Sequence, residues 1–138
     1  MNKVLVDNWN ALVNPEDRVY VLGDLAISRN SIGVVGRCNG RKVLVKGNHD
    51  IFKLKDYLPY FDDIRACVTS PHQYILSHVP VHPGSLGRWK INIHGHTHAN
   101  SVLLENGQKD DRYYCVSVEQ IDMRPKLLDD ILKEVGIA

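Results

Sequence analysis

A chain of 138 residues, 43% hydrophobic and 24% charged, has the composition of an ordinary globular protein, and a single domain over residues 1–138 is expected. The formal charge of +1 supplies no overall field toward nucleic acid or an anionic membrane, so nucleic acid is expected only as a substrate held at a site. No apolar run is long enough to cross a bilayer, Asp7, Asn8 and Asn10 interrupt any leader-like stretch, and Cys38, Cys67 and Cys115 lack metal or redox spacing; a cytoplasmic protein with reduced thiols and no membrane partner is expected.

Asn2 to Val13 has helical periodicity, with Leu5, Trp9 and Leu12 on one face, and Pro15-Glu16-Asp17 makes a turn. Arg18 to Leu22 has the Val/Tyr enrichment of a buried strand and ends at Gly23-Asp24. Ser28 to Cys38 reads as a helix stopped by Asn39-Gly40. Lys42 to Lys46 is a second strand, continuous in Val43, Leu44 and Val45, and it empties into Gly47-Asn48-His49-Asp50. Ile64 to Thr69 and Gln73 to Ser77 read as a hairpin about Ser70-Pro71-His72, and the second arm leads to Ser77-His78. Lys90 to Ile93 delivers His94-Gly95-His96-Thr97-His98. Tyr113 to Val118 is the last strand, after a Glu105-Asn106-Gly107 turn. Pro125 opens an amphipathic helix that carries Leu127, Leu128, Ile131, Leu132 and Val135.

Four of these strands therefore end in carboxylate, amide or imidazole groups, the donors that divalent metals take, and strand ends are where open α/β sheets keep their sites. Taken singly the motifs are weak: Gly-Asp is common in turns, Gly-Asn-His-Asp suits an Asx-type loop, and three alternating histidines mark many metal sites. Their order along the chain is what specifies them. His94 reads equally as a residue that orients the ligand set or as a hydrogen-bonded structural histidine. His82 reads first as a loop histidine, with an approach to the mouth of the site as the alternative, and His72 as a turn residue; Trp9 and Trp89 read as packing, and Arg29, Arg37, Arg41 and Arg88 as solvated arginines, with contact to a phosphate as the alternative.

In this order the four motifs resemble the calcineurin-like metallophosphoesterase superfamily, whose pattern runs D-x-H, G-D, G-N-H-D/E, H and G-H-x-H. The resemblance implies a two-sheet calcineurin-like sandwich flanked by helices. It also implies hydrolysis of phosphate mono- or diesters by a metal-bound hydroxide at a dinuclear site, with the two ions about 3.5 to 4 Å apart. By the same resemblance Asp24 bridges two divalent ions (Mn, Fe, Zn or Ni), Asn48, His78 and His96 complete one of them, and His98 serves the other. His49 is then the proton donor at the leaving oxygen, and Asp50 orients it. No D-x-H stands upstream of Asp24 in this sequence. The expectation is accordingly an N-terminally truncated fold that holds one ion and has little activity by itself, with β-edge groups open to a strand-donating partner or to self-association. The alternative is a non-catalytic or single-metal scaffold.

Overall fold

The structure, a computed structural model, describes residues 2–22, 36–47, 54–95, 102–116 and 125–137. Helix α1 (Asn2–Leu12) buries Val6 and Trp9, with Val13 just beyond its end, against Cys38. Leu12, expected on the packed face, is 57% exposed. Both readings of the face pass through Trp9 at helical spacing, and only the neighbour decides between them. That neighbour is the 37–40 segment: Trp9 Nε1 donates to Asn39 O at 2.8 Å, Asn39 N donates to Asn10 Oδ1 at 2.7 Å, and Asn39 Nδ2 donates to Val13 O at 3.1 Å.

Strands β1 (Arg18–Val21) and β2 (Arg41–Val45) pair in parallel, Val21 opposite Leu44. The β-branched runs suit strands buried on both faces, and Leu44 and Val45 are fully buried. The helix expected over Ser28 to Cys38 falls largely outside the described residues; Gly36 to Cys38 form a turn and bend. Beyond β2, the short helix α2 (Leu54–Tyr57) brings Tyr57 and then Phe61 onto Leu44. β3 (Asp63–Arg65) then pairs in parallel with β2, completing a three-stranded sheet of order β1-β2-β3.

The hairpin expected from Ile64 is thus divided between two sheets. Asp63–Arg65 stays with β2, and only β4 (Val68–Ser70) turns back antiparallel to β5 (Tyr74–Ser77). A six-residue β-prone run has the same alternation whether it is one strand or two short ones, so pairing partners set the break. β5, β6 (Ile91–His94) and β7 (Tyr113–Cys115) are mutually parallel, which makes a mixed sheet of order β4-β5-β6-β7. Helix α3 (Leu128–Glu134) lays Ile131 and Leu132 on Leu76, Ile91 and Ile93 of this sheet. Its Asp129 and Asp130 stand in the first turn and Lys133 in the last, as the helix dipole favours.

The chain is α/β, but the two-sheet calcineurin-like sandwich flanked by helices is corrected. Helices are few and short among the described residues, and the sheets are small, one parallel and one mixed. Among the described residues their buried side chains gather in three clusters rather than in one layer shared by two facing sheets. Strands of three to five residues span only about 10 to 17 Å and present little face for a common layer, so each sheet buries itself on the helix or loop beside it. Tyr20 and Leu22 are the described residues of the β1 arm that reach the cluster on the four-stranded sheet. No helix among the described residues is long and apolar enough to cross a membrane.

Candidate metal centre

Parallel pairing sends β1 and β2 toward the same end, so Leu22 and Gly47 leave the three-stranded sheet side by side in direction. β5 and β6 likewise run out together, Ser77 opposite His94. The two pairs of ends are joined through His78, the first residue after β5, which is 5% exposed. Its Nδ1 lies 2.8 Å from the carbonyl oxygen of Leu22. A carbonyl only accepts, so Nδ1 carries a proton. Gly95 N donates to His78 O at 3.0 Å, and an added Cβ at Gly95 would stand 3.0 Å from Leu22 O. Three chain segments meet here, and a side chain at Gly95 would crowd the Leu22 carbonyl.

The loop after His78 is held as firmly. Ser77 Oγ donates to Val79 O at 2.6 Å, and Tyr113 Oη donates to Val81 O at 2.6 Å. Burial pushes the Tyr113 phenol up, so it stays a neutral donor across the ordinary pH range. His94 is 1% exposed, donates Nδ1–H to Gly95 O at 2.8 Å and meets the Tyr113 ring edge-on at 6.2 Å. Both expectations for His94 are compatible with that arrangement.

Of the residues expected to carry the chemistry, His78 is described. Asp24, Asn48, His49, Asp50, His96 and His98 lie outside the described residues. Among the described residues no group of three or more His, Cys, Asp or Glu could hold a metal ion. Two expectations about other histidines stand: His82 accepts from Gly84 N at 2.9 Å through Nδ1, capping a 3-10 turn, and His72 occupies the 70–73 turn with φ +64°. A cavity of about 390 Å³ lies beside His72, lined also by Arg88 and Trp89, at the starting ends of β5 and β6 and away from His78. A second, of about 580 Å³, is lined by His94, Asp110, Tyr113, Cys115 and Glu134 beside β7. Motif reading passed over Asn92. A lone amide inside the run Ile91-Asn92-Ile93 was its signal, and it is completely buried.

No family model matches the chain. It is 35% identical over 141 residues to the uncharacterized protein MJ1445 of Methanocaldococcus jannaschii, a match that spans 96% of this chain and 74% of that protein. The crystal structure of the protein of unknown function AQ665 from Aquifex aeolicus superposes with a TM-score of 0.68 at 29% identity, over 96% of this chain and 84% of that one.

Proposed function

For this chain, which belongs to the same family as the Methanocaldococcus jannaschii protein MJ1445, we propose metal-dependent hydrolysis of phosphate mono- or diesters at the end where β1, β2, β5 and β6 run out. The observation that supports it most is the His78 Nδ1–H bond to Leu22 O. It ties the strand that leads into Gly23-Asp24 to the strand that leads into Ser77-His78. It also holds the imidazole in the tautomer of a metal ligand, because histidines that bind metals through one nitrogen usually donate the other to a backbone carbonyl or carboxylate.

The donor set fits hard and borderline divalent ions: Asp24, Asn48, His78 and His96 would hold one, and Asp24 with His98 would contribute to a second. Mn, Fe, Zn or Ni, when bound, supplies charge neutralisation at the phosphoryl oxygens and acidifies water. His49 then donates a proton at the leaving oxygen and Asp50 orients its ring. The three cysteines remain thiols, which suits a cytoplasmic setting.

With added Mn²⁺ and a segment that supplies the absent D-x-H, the protein is expected to hydrolyse an aryl phosphate mono- or diester and to stop when a chelator is added; the 138 residues alone are expected to turn over little. Asp24→Asn and His96→Ala should lose bound metal. His49→Ala should keep metal and lower kcat by about 10²- to 10⁴-fold. His72→Ala, in the turn at the other end of β5, should match the parent. Unchanged metal content in both ligand variants would refute the assignment, and metal bound without turnover of any ester would favour a single-metal scaffold instead.

A further inference from the structure

Asn92 is 0% exposed in a strand whose four residues are all buried, and beside a long 3.4 Å contact of Nδ2 with Ile93 O its amide bonds to one short segment. Oδ1 accepts from Val81 N at 2.8 Å. Nδ2 donates to Ser77 Oγ at 2.9 Å and to Ile75 O at 3.1 Å. The partners dictate the amide's orientation, because Val81 N–H needs an acceptor and Ile75 O needs a donor. Ser77 Oγ passes its own proton to Val79 O. One side chain thus grips the backbone on both sides of His78, while the ring of His78 is tied across to Leu22 on the other sheet.

A buried amide is costly to desolvate and returns little net stability once bonded, so an apolar residue would serve a plain strand at least as well. What the amide adds is geometry: it fixes where the 78–81 turn leaves the sheet. The adjacent Tyr113 hydroxyl bond to Val81 O reinforces the same turn from β7.

We propose that Asn92 is the positioning residue for His78: through Ser77 and Val81 it holds the imidazole in the place and tautomer required of a metal ligand. This rests on the metal-centre reading above. The test uses the intact chain and two readouts: the ring nitrogen signals of His78 by long-range ¹H–¹⁵N NMR without metal, and Co²⁺ affinity by calorimetric titration. The parent should show a single Nδ1–H tautomer. In Asn92→Ala that signature should average, and Co²⁺ affinity should fall about 10- to 100-fold, the usual effect of losing a group that orients a ligand. Ser77→Ala, a milder change that removes one link of the same chain, should move both readouts in the same direction and decides the matter if Asn92→Ala does not fold. Ile131→Ala, which loosens the helix packed on the same sheet, should lower stability and leave the His78 signature unchanged.

Retention of the parent tautomer and of affinity within twofold in both Asn92→Ala and Ser77→Ala would overturn the proposal. So would an equal change in Ile131→Ala, which would reduce Asn92 to general stability. If the parent itself bound no Co²⁺, the metal-centre reading would fail on its own, and the ring signature would still decide whether Asn92 positions His78.

Discussion

Gly40 stands where neither the backbone angle nor the space admits a side chain. Its φ is +107°, and an added Cβ would stand 3.0 Å from Asp17 O, Val13 Cγ1 and Val19 Cγ2. Gly107 shares the conformation, at φ +84°, but an added Cβ meets nothing within 4 Å. Gly40→Ala should therefore cost both strain and collision, about 2 to 4 kcal/mol, and Gly107→Ala the strain alone, about 1 kcal/mol. Urea unfolding of the two variants checks the order, and equal losses would show that the α1–β1–Gly40 junction relaxes freely. Both positions were legible as turns, Asn39-Gly40 as a stop and Glu105-Asn106-Gly107 as a turn. The collision at Gly40 was not, because it is made by residues 21 to 27 positions earlier in the chain.

At the scale of elements, the same limit explains which face of α1 packs. A helical run with apolar residues at several i, i+3 and i+4 offsets admits more than one stripe, and the pairing of Asn10 and Asn39 chooses the one through Val6, Trp9 and Val13. Trp9→Ala should lose about 3 to 5 kcal/mol and Leu12→Ala no more than about 0.5 kcal/mol. Thermal unfolding separates the two, and a large loss at Leu12 would restore the face that periodicity alone suggests. The strand run from Ile64 shows the parallel case for sheets. Alternation marked it as extended but carried nothing about its partner, so the change of sheet between Arg65 and Val68 had no local signal.

For the whole molecule, acid is the informative stress. Three described carboxylates are held below their ordinary range: Asp110 chiefly by side-chain hydrogen bonds from Arg112 at 2.6 and 2.9 Å, Glu134 chiefly by the Tyr114 hydroxyl and then Lys126, and Asp63 chiefly by Arg65. A depressed carboxylate binds fewer protons folded than unfolded. Its contribution is therefore present above the unfolded value, about pH 4, and is lost as pH falls through the lower folded value. The Asp63–Arg65 pair is open to solvent on both sides and adds little. Asp110 is buried, with its partner Arg112 half exposed, and is the one expected to matter. The contribution of these carboxylates should be constant from pH 7 to about pH 5 and fall below about pH 4. Asp110→Asn should lower the neutral-pH value and shallow the acid slope. An unchanged slope in urea titrations across pH would place the acid sensitivity elsewhere.

What the amino-acid sequence determined by itself is local and periodic: the first helix and most of the last, the β-prone runs that became β1, β2, β5, β6 and β7, the turns, and the donor residues that follow β1, β2, β5 and β6 along the chain. Such features depend on neighbours a few residues away, and propensity and spacing encode them directly. Only the tertiary structure decided how the strands were divided between a parallel and a mixed sheet, which stripe of α1 was buried, and that the described core residues gather in clusters instead of one sandwich layer. It also decided that the ends of β1 and β5 are tied through His78 and that a buried asparagine holds the turn. The bonds of Asn92 and His78 join partners 11 to 56 positions apart in the chain, where a hydrogen bond or a packed face depends on which segments meet, and no local pattern records that meeting.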